Sequence, residues 1–280
     1  MITEADLQQY KREGYTVARQ LFSEEEVTRY RDHFMRLREL GSYPGDAVGV
    51  EPAANDPLKR YPRMIHMHRW DELSLQWLLD RRLAASLAAL LGREPFAVQT
   101  MLYFKPPQSR GQALHQDQYY LRVDPGTCMA AWLALDPCDE ANGCLQVVPG
   151  SQDWDLLCTE RADVKASVID VTVPVPEGAE VRPVIMQPGD VLFFNGSMVH
   201  GSFPNTTTDR FRRSLIGHYI EGDSQQVAAH FSPALRMDGT LVELEASERG
   251  GLCGVWVEED GTPVLEMVGT APVHSAKTHE

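Results

Sequence analysis

The segment His115-Gln116-Asp117 places an imidazole and a carboxylate two positions apart, just after a strand-like run and a Pro/Gly loop. In extended backbone, residues i and i+2 project from the same face, so His115 and Asp117 are predicted to reach one metal ion while Gln116 points away. A third ligand is needed, and His200 is the candidate. It follows Gly189-Asp190-Val191-Leu192-Phe193-Phe194, a tight turn into an apolar strand that would carry the imidazole to the same place. Two neutral imidazoles and one carboxylate bind iron(II) on one octahedral face and leave the remaining positions open for a cosubstrate and dioxygen. Beyond His200 the chain turns basic at Arg210-Phe211-Arg212-Arg213-Ser214. A 2-oxo acid that chelates the metal through its keto and neighbouring carboxylate oxygens has a distal carboxylate left over, which a planar guanidinium meets in bidentate geometry. The plainer readings are a surface histidine pair and a solvated basic turn, since His-x-Asp by itself is a frequent chance pattern.

The elements that must position these residues fall into a helical part followed by a strand-rich part. A first helix is predicted from near Thr3 to Gly14, and a second from Ser23, with a Ser23/Glu26 capping pair, to Gly41. Val27, Tyr30, Phe34 and Leu37 recur at helical spacing and give the second helix one core face. Residues 41–62 read as a long loop rich in Gly, Pro, Ala and Asp, the kind of segment that often forms a lid. A third helix is expected over Glu72 to Leu91, ending at Gly92. Short apolar or alternating runs then follow at Ala97–Phe104, Met129–Leu135, Cys144–Val148, Val181–Met186, Val191–Phe194 and Ser214–Ile220, a β-sandwich or barrel rhythm. After Glu221 the chain is less regular, with a hairpin expected from Gly254–Glu258 and Val264–Val268 and a frayed end beyond it. The organisation expected is one domain over 1–280: a mostly helical part at 1–92, a core at 93–221 and an extension at 222–280.

Composition narrows the partner. A chain of 280 residues, 43% of them hydrophobic, can bury a sizeable core. With 40 acidic against 26 basic residues and a net charge of −14, nucleic acid and anionic membranes are disfavoured, and a small molecule is the expected partner. Oligomeric state has no sequence signal. Acidic residues occupy the place where a signal peptide would be cationic, and no apolar run approaches a membrane span, which points to the cytoplasm. Five cysteines without a Cys-x-x-Cys pair, Cys128, Cys138, Cys144, Cys158 and Cys253, read as reduced thiols, most of them small core residues.

Taken in order, the runs Gln99–Pro107 (QTMLYFKPP), His115–Tyr120 (HQDQYY), Ala131–Ser151 (AWLALDPCDEANGCLQVVPGS), Pro188–Phe194 (PGDVLFF), His200–Asn205 (HGSFPN) and Phe211–Ser214 (FRRS) resemble the successive signatures of the phytanoyl-CoA dioxygenase-like family of iron(II)- and 2-oxoglutarate-dependent oxygenases, over Leu7 to about Tyr219. The resemblance implies a mainly β fold with flanking helices, a double-stranded β-helix of jelly-roll, cupin-like form with its site in the barrel mouth. It implies His115, Asp117 and His200 as iron ligands and Arg212 on the cosubstrate carboxylate, with Arg210 or Arg213 open because the spacing from His200 is one residue longer than in some relatives. By the same match Met101, Trp132, Ser202 and Lys105 line the cosubstrate pocket. Halogenating relatives replace the aspartate with a small residue, and this sequence keeps Asp117, so the implied chemistry is oxygen insertion into a C–H bond, or a related desaturation or ring closure, with 2-oxoglutarate converted to succinate and carbon dioxide.

Members of such a family act on acyl-CoA thioesters, amino acids, osmolytes, phosphonates and secondary metabolites, so fold and triad leave the substrate open. Gln99, Tyr119, Tyr120 and the segment Arg63–His68, His66 above all, are the candidates for its contact surface. The absence of a basic stretch suited to coenzyme A favours a small polar metabolite. His66 and His68 read as substrate or surface residues rather than a second metal site. Two other classes compete: a cupin-type binding protein without turnover, and a non-oxidative metal-dependent hydrolase or isomerase, which would work without oxygen. His33, His218, His230, His274 and His279 carry no recognisable pattern.

Overall fold

The computed structural model of the protein describes residues 2–44, 46, 49–248 and 252–269. The N-terminal helices begin where their caps dictate. Thr3 and Ser23 each accept a hydrogen bond from the backbone N–H three residues on, and Asp6 and Glu26 reach back to the cap N–H, so Glu4–Glu13 and Glu24–Glu39 both start on reciprocal capping boxes. The predicted helix over 72–91 is two helices, Glu72–Leu78 and Arg81–Leu91. The break falls at Asp80, whose carboxylate accepts from the backbone N–H of Arg82 at 2.8 Å and restarts the chain as a new N-cap; the continuous apolar pattern hid it.

Two sheets carry the core. The larger has eight strands in the order Tyr15–Ala18, Val191–Asn195, Cys128–Ala134, Ser214–Glu221, Pro95–Tyr103, Ala234–Arg236 and Leu241–Val242, with Met64–Ile65 also paired to Pro95–Tyr103. The smaller runs Gln112–His115, His200–Ser202, Leu145–Val147 and Arg182–Val184. The large sheet is covered on both faces, and its strands sort their residues by parity. Ala131, Leu133, Val191, Phe193 and Leu215 pack with Phe34, Trp77 and Leu87 of the helices, whereas Ala130, Trp132, Leu192, Phe194 and Ile216 pack toward Leu145, Val147 and Val184 of the small sheet. Burial on both faces explains why these strands read as continuous apolar runs. The result is the expected mainly β, jelly-roll arrangement with helices outside it, and the strands predicted from sequence are all present with ends shifted by one or two residues.

The long loop over 41–62 is tied down at both ends. Arg38, 2% exposed, donates to Asp46 and to the carbonyl of Gly41, and Asp56 pairs with Arg110 at 2.8 Å. Residues 45, 47 and 48 of this loop, and the end of the chain expected to fray, lie outside the described residues.

The C-terminal hairpin forms as expected, Cys253–Glu259 against Thr262–Val268. It also overturns the reading of five reduced thiols. Gly254 exchanges backbone hydrogen bonds with Leu156 and Cys158, and Trp256 packs edge-on against Trp154. This brings the Cα atoms of Cys158 and Cys253 to 4.9 Å, and the two form a disulfide. The partners are 95 residues apart, so no local spacing could announce the bond. Cys128, Cys138 and Cys144 are free and buried, as small core residues are.

Candidate active site

The two histidines meet because their strands pair. His115, at the end of Gln112–His115, lies directly opposite His200, at the start of His200–Ser202. Each ring is locked by the carbonyl two residues before it: Nδ1 of His115 is 2.9 Å from the oxygen of Ala113, and Nδ1 of His200 is 3.0 Å from that of Met198. A carbonyl only accepts, so both rings carry their proton on Nδ1 and turn an acceptor Nε2 toward the same point, that of His115 accepting from the Gln112 amide at 3.1 Å. Asp117 arrives by a different route from the one the i, i+2 argument supposed. The strand stops at His115, and Asp117 has helical backbone (φ −64°, ψ −30°) as the residue that opens the short helix Gln118–Leu121. The pairing of side chains survives because that turn swings the carboxylate back, with Oδ1 3.6 Å from His115 Nε2 and Oδ2 3.7 Å from His200 Nε2. Gln116 does point away: its amide donates to the carbonyl of Ser197 and accepts from the backbone N–H of Leu157, both at 2.8 Å, fastening the ligand turn to the segment that leads into His200.

One ligand atom from each of His115, Asp117 and His200 lies within 4.8 Å of the others, and this is the one such group among the described residues. All three residues are buried. Burial first, then the neighbouring His115, brings the pKa of His200 down to about 4, so its imidazole is neutral near pH 7, the form that ligates a metal. Burial pushes the Asp117 carboxyl upward, but the surrounding His200, His115 and His218 outweigh it and hold it well below the usual carboxylate range. Two imidazoles locked in one tautomer, with an ionised carboxylate, are the donor set that suits iron(II).

The basic segment resolves into three different arginines. Arg210 is exposed and paired with Asp139, and Arg213 is held by both oxygens of Asp136. Arg212 is buried, donates to the carbonyl of Gly143 and the hydroxyl of Ser214 at 3.0 Å each, lies 5.1 Å from the ring centre of Trp132, and has no carboxylate at ion-pairing distance among the described residues. Lys105 sits in the same buried polar group, donating to the hydroxyl of Ser202 at 2.9 Å and the carbonyl of Phe203 at 2.6 Å. Burial, and then the Arg212 charge, pulls the Lys105 pKa well below the lysine range. An interior that keeps a guanidinium without a counter-ion is unfavourable unless an anion completes it.

A cavity of about 740 Å³ opens over the triad. Met101, Trp132, Leu145, Phe194 and Ile216 line it near the triad, and the rest of its lining mixes polar side chains, Arg63, His66, Gln99, Tyr119, Tyr120 and His230 among them, with apolar ones such as Ile65, Val164, Val168, Ile169 and Phe231. The candidates Met101, Trp132, Gln99, Tyr119 and His66 thus all line it, while Ser202, Lys105 and Arg212 lie in the polar group beside Trp132. His68 belongs to no metal-binding group among the described residues; its Nδ1 is hydrogen-bonded to the Thr100 hydroxyl at 3.0 Å, and the same hydroxyl accepts from its backbone N–H.

Sequence reasoning missed His218. It is 6% exposed, lines the cavity and has Nε2 3.3 Å from Asp117 Oδ2. The signal was the parity of Ser214–Glu221, which puts His218 between Ile216 and Ile220 on the inner face.

Fold and site together define a jelly-roll metalloenzyme that takes iron and 2-oxoglutarate. The chain belongs to the phytanoyl-CoA dioxygenase (PhyH) family, whose profile matches residues 10–214, and it is an iron- and 2-oxoglutarate-dependent dioxygenase. It is 26% identical over 265 residues to the peroxisomal phytanoyl-CoA dioxygenase of Rattus norvegicus, covering 90% of this chain and 78% of that protein. The structure of the epimerase SnoN with Fe3+, α-ketoglutarate and nogalamycin RO superposes with a TM-score of 0.60 at 18% identity, covering 88% of this chain and 96% of that one. That of EctD from S. alaskensis with 2-oxoglutarate and 5-hydroxyectoine superposes with a TM-score of 0.61 at 22% identity, covering 80% and 78%. No described helix is long and apolar enough to cross a membrane.

Proposed function

We propose that the protein hydroxylates an unactivated C–H bond of a small polar metabolite or biosynthetic intermediate, with His115, Asp117 and His200 holding the iron and Arg212 holding the distal carboxylate of 2-oxoglutarate. The observation that carries the cosubstrate assignment is the buried, carboxylate-free guanidinium of Arg212 against Trp132. A metal-binding jelly-roll without turnover, or a hydrolase, has no use for such a cation. Iron(II), when bound with 2-oxoglutarate, supplies the oxidising chemistry: one oxygen atom of dioxygen enters the substrate C–H bond, the other enters succinate, and carbon dioxide is released.

The chain's own residues orient the reactants and exclude water. Arg212, with Ser202 and Lys105 beside it, fixes the far end of the cosubstrate, and Trp132 and Met101 flank its path to the triad. The apolar floor at Leu145, Phe194 and Ile216 keeps water from the reacting carbon. Gln99, His66, Tyr119, Arg63 and His230 supply polar contacts for a small polar molecule on the substrate side, among apolar lining residues such as Val164, Val168 and Ile169. The small-molecule complexes of the related folds, a nogalamycin compound in SnoN and 5-hydroxyectoine in EctD, support a partner of this size.

The test is a screen of polar metabolites for succinate release under isotopically labelled dioxygen. The expected product gains one labelled oxygen atom with succinate formed in equal amount. A product that loses two hydrogens, or changes configuration without gaining oxygen, would replace hydroxylation with another outcome of the same centre.

A further inference from the structure

We propose that the Cys158–Cys253 disulfide is a redox latch on the cavity: when formed it holds residues 159–173 as one wall of the space over the triad, and when opened by a dithiol it frees that wall and admits small molecules to the metal site. Val164 and residues 167–171 line the cavity together with His115, Asp117 and His200. The segment doubles back on itself, Glu160–Arg161 pairing with Val171–Thr172, so it is a loop with a narrow base. Its middle rests on the strand that carries His115, where the Ser167 hydroxyl accepts from the Ala113 N–H at 3.0 Å, and at its end the Val173 N–H donates to the Leu114 carbonyl at 2.9 Å.

The C-terminal hairpin closes the base of this loop. On one side the Gly254 carbonyl accepts from the Cys158 N–H at 2.9 Å and the Gly254 N–H donates to the Leu156 carbonyl at 2.8 Å; on the other the Trp256 indole donates to the Pro174 carbonyl at 3.1 Å. The hairpin forms a two-stranded sheet of its own, and such a ribbon is marginally stable in water. Its few contacts with the wall persist because the disulfide keeps the partners at high effective concentration. The metal and cosubstrate residues are built without it, since the family profile ends at residue 214 with His115, Asp117, His200 and Arg212 inside it and Cys253 outside. Cys253 is buried and Cys158 only half-buried, so exchange starts at Cys158. A thiolate of the dithiol attacks its Sγ, Cys253 leaves as a thiolate and takes up a proton, and the second thiol resolves the mixed disulfide. Two electrons pass to the protein, which gains two thiols, and the dithiol becomes a disulfide.

The experiment compares the full chain oxidised with oxidised glutathione and the full chain reduced with dithiothreitol, each desalted and then loaded with Fe(II) under anaerobic conditions. Wall order is read from trypsin cleavage after Arg161 and Lys165, both exposed, and access to the metal from the rate at which 2,2′-bipyridine removes the iron. Both rates are expected to be about fivefold or more higher in the reduced protein, as local opening of one segment requires, while far-UV circular dichroism and cleavage after Arg12 in the first helix stay unchanged. Oxidised glutathione restores the slow rates, and Cys253→Ser matches the reduced wild type; if that variant fails to fold, the reduced wild type decides. Rates equal in the two states by either readout overturn the inference, as does a wild type that keeps five alkylatable thiols after oxidation. Reduction that speeds cleavage after Arg12 as much as at the wall also overturns it, because the bond would then hold the whole fold rather than one wall. The metal readout rests on the triad as an iron site: a protein that binds no iron sinks that reading instead, and trypsin alone then decides the latch.

Discussion

Replacing Arg212 by Ala tests the cosubstrate assignment quantitatively. Arg212 is 3% exposed, so a carboxylate bound to it is a desolvated, charge-assisted pair. Removing one partner of such a pair costs about 3–5 kcal/mol, because the other charge is left buried and unmatched. At about 1.4 kcal/mol per tenfold, the dissociation constant for 2-oxoglutarate should rise by roughly 100- to 5,000-fold. Arg212→Lys keeps the charge but loses the planar fork and should fall between wild type and Ala. Arg210→Ala is the matched control: its partner Asp139 is as exposed as it is, the pair is worth about 0–1 kcal/mol, and 2-oxoglutarate affinity should stay within about threefold of wild type. The assay is anaerobic calorimetric titration of 2-oxoglutarate into iron-loaded protein, with far-UV circular dichroism to confirm folding, since Arg212 also holds Gly143 and Ser214. A folded Arg212→Ala protein whose affinity changes less than about threefold, or an Arg210→Ala protein that loses as much, would refute the reasoning.

Three further outcomes follow from the structure. Gln116→Leu leaves the Ser197 carbonyl and Leu157 N–H without their partner and should cost about 2–4 kcal/mol in denaturant unfolding while weakening iron binding, because the turn that aims Asp117 is no longer fastened. Cys253→Ser opens the bond to Cys158 and should destabilise the protein by about 2–4 kcal/mol; alkylation of the unfolded, unreduced wild type should label Cys128, Cys138 and Cys144 alone, and a reductant should lower the wild-type melting temperature but not the variant's. Glu26 is held at a pKa of about 2 against an ordinary 4.5, first by its hydrogen bonds with Arg82. A depressed carboxyl stabilises the fold fully above the unfolded value and loses that contribution as pH falls from about 4.5 toward 2, so Arg82→Ala should be less stable than wild type at neutral pH and the part of that deficit carried by Glu26 should fade across this window in pH-dependent unfolding.

Much of this molecule was legible because its signals are local. Capping residues fixed where the first two helices begin, and apolar runs bounded by turns located the strands, since those strands are buried on both faces. What the sequence hid was long-range or conformational. The break at Asp80 interrupts no hydrophobic pattern, and the Cys158–Cys253 bond depends on a hairpin docking on a distant segment. Asp117 reached the predicted place by a helical turn rather than along a strand, so the pattern was a correct guide for an incomplete reason. The proposal of Arg212 over Arg210 and Arg213 rests on the positions of Asp139 and Asp136, which only the fold supplies. His218 was readable in principle from strand parity, but its meaning came from the neighbouring carboxylate.

The central claim, an iron centre that chelates 2-oxoglutarate, is tested most directly by adding Fe(II) and then 2-oxoglutarate to the apoprotein under strict anaerobiosis and recording the visible spectrum, with Asp117→Ala alongside. A weak metal-to-ligand charge-transfer band that needs both additions and is absent from the variant is the predicted result. Tight metal binding with no band on adding 2-oxoglutarate would contradict it.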